Sequence, residues 1–338
     1  SKEVNEPNKV GYVVEIDPLN PNSTPKKHTA LGRFKHENAE LVISKDGKII
    51  VYMGDDERGE YLYKYVSNKS INEVKDKSTL LSNGNLYVAK FNDNFTGEWL
   101  LLDTQTTGLS SKAEVCIFTR LAASKVGATT MDRPEWIASN PKKNEVCCCL
   151  TNNKNRGIKT NKGGDKVDVD KVNPRKNNKY GQIVRWKPRD NNHSSVYFEW
   201  DLFVVAGNPN VHDDNNRGSK NIDKENMFNS PDGLKFDKYG RLWIQTDGNY
   251  SNSGDFKGMG NNQMLIADTN TGKIKRFMVG PKECEVTGLT FAPDYKTVFV
   301  GIQHPGERLG SNFPDNGNNK PRSCIIAIQK KDGSEILT

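Results

Sequence analysis

Apolar and polar positions along this chain alternate in short two-strand units rather than in helical stripes. Four stretches share one plan: HENAELVISKDGKIIVYMGDD from His36, PEWIASNPKKNEVCCCLTNN from Pro134, SPDGLKFDKYGRLWIQTDG from Ser230 and EVTGLTFAPDYKTVFVGIQH from Glu285. Each has an acidic residue, an apolar run, a polar turn, a second apolar run and a polar tail. Such runs, bounded by turn signals such as KDGK, NGN, NTGK and KDGS, read as strands. The pattern predicts strands at Gly11–Asp17, Ala39–Ser44, Lys48–Met53, Tyr61–Tyr65, Asn85–Phe91, Glu98–Asp103 and Glu145–Leu150. Further strands are predicted at Gln182–Trp186, Tyr197–Val205, Leu234–Phe236, Arg241–Gln245, Gln263–Asp268, Ile274–Val279, Thr297–Ile302 and Cys324–Ile328. The best helical periodicity lies in Ser111–Thr130. Long polar stretches at 152–179 and 208–221 read as loop insertions.

A two-strand unit repeated in this way predicts an all-β chain: a β-propeller of four-stranded antiparallel blades. Roughly four blade-like units are recognisable, at the low end of the usual range of about four to eight. No linker divides the chain, so residues 1–338 read as one propeller domain or the C-terminal part of one. In a radial array equivalent positions converge. The leading acids are Glu37, Glu135, Asp232 and Glu285; the tails carry Asp55 and Asp56, Asn152 and Asn153, Asp247, and Gln303 with His304. Oxygen ligands from several blades would meet near one end of the axis, where a hard cation can neutralise them.

Composition adjusts this picture only in part. Apolar residues make up 34% of the 338 and the mean hydropathy is −0.76, so the surface and loops are very polar, which favours short half-buried strands. The net charge is +7, from 49 Lys and Arg against 42 Asp and Glu. The lysines are scattered, which describes a solvated surface better than an anion-steering patch. No nucleic-acid recognition motif accompanies the charge, so nucleic acid is not an expected partner. Six cysteines occur without CxxC or zinc-type spacing. Cys147, Cys148 and Cys149 sit in an apolar run and read as small buried hydrophobes, not as disulfides or reactive thiols. No run approaches 18 apolar residues, so no membrane-spanning helix is expected, and no signal peptide is visible.

Longer blocks carry a family resemblance. LGRFKHENA, VYMGDDERGEYLYKYV, TRLAASKVGATTMDRPEWI, LTNN, NMFNSPDGLKFDKYGRLWIQTDG, EVTGLTFAPD and GIQHPGE resemble the PhoX-type alkaline phosphatases from about Gly11 to the C-terminus. The resemblance implies a propeller enzyme with an iron–calcium active site that hydrolyses phosphomonoesters at alkaline pH. It also implies export to the periplasm or beyond, and a monomer acting on phosphomonoesters and phosphate. Family members carry a region before the GYVVEIDP-like strand, with an iron-binding Cys and a Cys-Glu-Glu segment. Neither block occurs here, the first cysteine being Cys116. The resemblance therefore implies the C-terminal portion of an enzyme, with an incomplete propeller and little turnover by itself.

Carried over motif by motif, the resemblance makes Glu37 of HE, Asp56 of GDDE, Glu135 of DRPE and Asp232 of SPDG metal ligands. Asp55, Glu57 and Asp247 are further candidates, and Arg133 of DRPE contacts the substrate phosphate. The chemistry suits these residue types. Calcium takes carboxylate-rich oxygen cages, ferric iron accepts carboxylates, and the arginine fork matches two phosphate oxygens. Close cations would supply a metal-bound oxygen as nucleophile and stabilise the leaving group. Asp46, in the KDG turn at the opposite end of its strand, reads as turn chemistry. His304 reads as a loop histidine, Asp213 and Asp214 as solvated loop acids, and Glu285 has no assigned role. Two rivals come from other classes: a calcium-dependent lactonase-like propeller hydrolase, since PDGLKFDKYGRLWI suits such enzymes too, and a non-catalytic propeller fragment that binds a partner.

Overall fold

The computed structural model describes residues 6–336. They group into two compact units. The first holds the described residues up to Ile137 together with Asn155–Lys176 and Trp186–Asp201. The second holds Ala138–Lys154, Asn177–Arg185 and the described residues from Leu202 onward.

The first unit begins with a small antiparallel pair, β1 (Val13–Glu15) and β2 (Lys26–His28). A meander follows: β3 (His36–Ile43), β4 (Lys48–Asp55), β5 (Leu62–Ser70), β6 (Gly84–Phe91) and β7 (Thr96–Leu101), each antiparallel to the next. β4 reads KIIVYMGD and is buried on both faces after its first residue, which explains its run of apolar residues without alternation. Its neighbour β3 alternates between half-buried and exposed positions, as a strand at the sheet edge does. Met53, Tyr63, Tyr65, Leu86 and Val88 form a core with Val115, Ala122 and Ala123 from the helical segment. β8 (Pro134–Ser139) starts in this unit.

The helix expected over Ser111–Thr130 is present in two pieces. α1 (Thr104–Thr107) precedes them with an Asp103 capping box, and Ser111 caps α2 (Lys112–Ile117) by accepting from the Glu114 N–H. The chain then breaks at Phe118 (φ −104°, ψ 44°) before α3 (Thr119–Lys125). The Thr119 hydroxyl bonds back to the Val115 and Cys116 carbonyls at 3.1 and 2.9 Å, a competition with helical bonding that bends helices. Gly127, at φ +72°, stops the helical path short of Thr130.

The second unit contains β9 (Val146–Leu150), parts of β10 (Gln182–Pro188) and β11 (Tyr197–Val205), and two sheets. β12 (Pro231–Phe236), β13 (Arg241–Thr246), β14 (Gln263–Asp268) and β15 (Ile274–Val279) form a four-stranded antiparallel sheet in chain order. β16 (Glu285–Phe291), β17 (Thr297–Gln303) and β18 (Cys324–Gln329) form a three-stranded one. Trp243, Met264, Val286, Val298, Val300 and Ile302 build its core. Cys147, Cys148 and Cys149 are fully buried in β9 and unbridged, as their apolar setting predicts.

The repeated units β3–β4, β12–β13 and β16–β17 are antiparallel hairpins. In each, the leading acid lies at the end of the hairpin that carries the polar tail. His36 pairs with Asp55, Pro231 with Thr246, and Glu285 with Gln303. The repeats also share a feature that the pattern alone does not reveal. The register slips between His36 and Ala39 and between Pro231 and Leu234, so Glu37 and Asp232 lie in β-bulges. A bulge re-aims a side chain out of the pleat, and bulges gather beside functional sites.

Candidate functional site

In the first unit the site is assembled from the end of β4, the bulge of β3 and the start of β8. A carboxylate oxygen of Glu37 and one of Glu135 lie within 4.8 Å of each other. Glu37 is exposed at the bulge, whereas Glu135 is buried in β8. Between Asp56 and Glu135 sits Arg133. Its Nε donates to Asp56 Oδ1 at 2.7 Å and its Nη2 to Asp56 Oδ2 at 3.0 Å. Nη2 also lies 3.0 Å from Glu135 Oε1. Arg133 adopts φ +57°, a left-handed conformation disfavoured for a side-chain-bearing residue and costing about 1–3 kcal/mol. The following proline restricts it further. The strand end beside it is equally constrained. A Cβ on Gly54 would stand 2.5 Å from the Pro134 carbonyl oxygen and 2.6 Å from that of Glu135, so only glycine lets β4 pass this close.

The other acids of the GDDE segment are engaged with cations. Asp55 is fully buried and receives Arg120 in fork fashion, Nε to Oδ2 at 2.7 Å and Nη2 to Oδ1 at 2.6 Å. It also accepts the Lys35 N–H at 3.2 Å. This tie joins the end of β4 to the residue just before His36 and Glu37. Glu57 lies between Lys35 and Lys162, at 3.1 and 2.7 Å. Partial burial raises its carboxyl, but Lys162, the Arg58 N–H and Lys35 outweigh that and hold it at about 2. Glu60, which the sequence did not single out, is almost wholly buried. Burial pushes its carboxyl up to about 8, against the pull of Arg120. With Arg120, Ser124 and Asp165 it lines a cavity of about 290 Å³.

In the second unit Asp232 is buried in the bulge of β12. A separate convergence brings ligand-type atoms of Asp247, Glu285 and His304 within 4.8 Å of one another. Gln303 Nε2 donates to Glu285 Oε2 at 2.6 Å, and His304 Nε2 lies 3.4 Å from the same oxygen. Burial, reinforced by the neighbouring Asp247 charge, pushes Glu285 up to about 7. Asp247, Tyr250, His304 and Glu307 line a cavity of about 260 Å³ beside it. Glu285 and His304 were legible as the leading acid and the tail of the fourth repeat, yet their residue types alone did not distinguish them from loop chemistry. Asp46 is held in its turn by Ser44 and Ser194, the latter at 2.7 Å. Asp214 accepts the Asn216 N–H at 2.9 Å as a local cap.

The family model for alkaline phosphatase PhoX matches residues 1–306. The chain belongs to that family. Among solved structures it is similar to Pseudomonas fluorescens PhoX in complex with vanadate, a transition state analogue, at 55% identity and a TM-score of 0.92. The match covers 98% of this chain and 59% of that one, so the chain spans about three-fifths of its relative's length. With that similarity the all-β, propeller-type architecture expected from the repeats is the fold observed. A luciferin-regenerating enzyme is 9% identical at a TM-score of 0.35, covering 88% of this chain and 78% of that one. Kuenenia stuttgartiensis hydrazine synthase is 12% identical at 0.36, covering 87% and 63%. Both likenesses are too remote to bear on this chain. Among curated proteins none matches.

Proposed function

We propose that this protein takes part in metal-dependent hydrolysis of phosphate monoesters at alkaline pH, with Arg133 clamping the phosphate. Glu37, Glu135 and Asp232 are the proposed cation ligands, calcium and iron the proposed ions. The observation that supports this reading most is the constrained Arg133–Pro134–Glu135 segment, whose carboxylate converges with Glu37 while its arginine stands beside it. That a family relative is held in complex with vanadate, a transition state analogue, supports phosphate-ester hydrolysis as the reaction.

The donor set fits hard cations. Two carboxylates within 4.8 Å repel each other, and a divalent or trivalent ion relieves that repulsion while taking oxygen ligands. The Asp247–Glu285–His304 group offers a second, mixed donor set. Bound cations would supply positive charge to the phosphate oxygens and lower the pKa of a coordinated water. The chain's own contribution is orientation. Arg133 brings its guanidinium charge to the phosphate oxygens from a backbone that Pro134 restricts. The bulge at Glu37 and the buried seat of Glu135 fix where the carboxylates point. In keeping with the family, we place the working protein in the periplasm or outside the cell. Among the described residues no helix is long and apolar enough to cross a membrane.

The test is hydrolysis of a generic aryl phosphate at alkaline pH by the calcium- and iron-loaded protein. Arg133→Ala should lower the rate on the order of a hundredfold or more, the scale of one lost charge-stabilising donor. Arg133→Lys should restore little, because a point charge does not reproduce the fork. Undiminished turnover in Arg133→Ala would refute the assignment.

A further inference from the structure

We propose that Asp56 is a positioning residue for Arg133 and not a ligand of the cation site; this rests on the reading of Arg133 as the phosphate clamp. Both oxygens of Asp56 are engaged side by side with one edge of the guanidinium, Nε and Nη2, at 2.7 and 3.0 Å. That is the bidentate geometry in which a carboxylate holds an arginine in plane. Glu135 Oε1 lies 3.0 Å from the same Nη2 as an ion pair, so Asp56 is the carboxylate whose paired hydrogen bonds set the plane. Ligand-type oxygens that converge in the first unit come from Glu37 and Glu135, and among the described residues Asp56 is not in that group.

The support beneath Asp56 is rigid. Its N–H donates to the Lys35 carbonyl at 3.0 Å, joining β4's end to the residue before the β3 bulge. Its neighbour Asp55 is clamped by Arg120. At the other partner, Arg133 stands at φ +57° before Pro134, so its backbone has little freedom to re-aim the side chain. An arginine side chain is long and rotamer-rich. A carboxylate that fixes the guanidinium in advance removes that ordering cost from the binding of phosphate. Consecutive acids thus serve different ends: Asp55 ties the strands together and Asp56 aims the clamp.

The experiment compares calcium and orthovanadate binding, by calorimetry, in the wild-type protein, Asp56→Asn, Asp56→Glu, Arg133→Ala and Glu135→Gln. Expected for Asp56→Asn is vanadate affinity about tenfold or more weaker, from loss of a charge-assisted pair. Its calcium affinity should fall far less than in Glu135→Gln, where a lost ligand should cost on the order of tenfold or more. Asp56→Glu, which keeps the charge, should recover part of the vanadate affinity and serves as the second variant if the amide does not fold. A calcium loss in Asp56→Asn equal to that in Glu135→Gln makes Asp56 a ligand and overturns the proposal. Vanadate affinity lost in Arg133→Ala but intact in Asp56→Asn overturns the positioning alone. Vanadate affinity unchanged in Arg133→Ala overturns the clamp reading and the proposal together.

Discussion

Removing Arg120 isolates a buried charge, and the size of the effect follows from its surroundings. Asp55 has no solvent exposure and receives charge-assisted hydrogen bonds of 2.7 and 2.6 Å from Arg120, plus one backbone N–H. Met53, two residues before it, and Tyr63, which pairs with Met53 across β4 and β5, are also fully buried. Arg120→Ala leaves the carboxylate with a single donor. Breaking a buried pair by removing one partner costs about 3–5 kcal/mol. Arg120 itself is 31% exposed and borders the 290 Å³ cavity, so water can reach the vacated position, and the low end, about 3 kcal/mol, is expected. The double variant Arg120→Met with Asp55→Leu should recover much of that loss, since an apolar pair has no charge to desolvate. Urea unfolding followed by the fluorescence of the five tryptophans measures both, and the singles Arg120→Met and Asp55→Leu complete a mutant cycle with the double. An Arg120→Ala protein within about 0.5 kcal/mol of wild type, the ordinary range for surface changes, would refute the reasoning. So would a double variant less stable than the single.

Glu60 gives a pH signature: its carboxyl titrates at about 8 when folded against 4.5 when free, so the folded form holds the extra proton between those values. Stability should therefore fall as pH rises from about 4.5 through 8, by at most about 1.4 kcal/mol per pH unit from this group, and Glu60→Gln should flatten that slope. Parallel stability–pH curves for the two proteins would exclude it. Gly54→Ala should destabilise by about 1–3 kcal/mol, because its Cβ meets backbone carbonyls that cannot rotate aside; an unchanged urea midpoint would contradict the close approach. Chelation should lower the melting temperature and calcium should restore it, with about 2.7 kcal/mol of stabilisation expected at a hundredfold excess over Kd; identical melting with and without chelator would count against a cation site.

Much of this protein is legible in its sequence, because strand formation is decided locally. Alternation, turn residues and apolar runs located the hairpins β3–β4 and β12–β13, although β3 and β12 each start three residues before the expected strand, and the repeat alone marked β16 of β16–β17. The repeated acid at each hairpin start, joined to specific blocks such as DRPEWI and NMFNSPDGLKF, pointed to the family and to Glu37, Arg133, Glu135 and Asp232 as the residues to examine. What the sequence could not determine is which charge meets which. Asp55, Asp56 and Glu57 are three adjacent acids, indistinguishable by type. Tertiary structure gives the first to Arg120, the second to Arg133 and the third to Lys35 and Lys162, partners between 22 and 105 positions away. The single expected helix likewise became two because the Thr119 hydroxyl takes carbonyls of the preceding turn. The bulges at Glu37 and Asp232 depend on the register between strands and leave no mark on either strand alone. Local pattern follows from near neighbours and backbone sterics, whereas charge pairing and register are settled only when distant segments are brought within a few ångströms, where desolvation makes every unpartnered carboxylate costly.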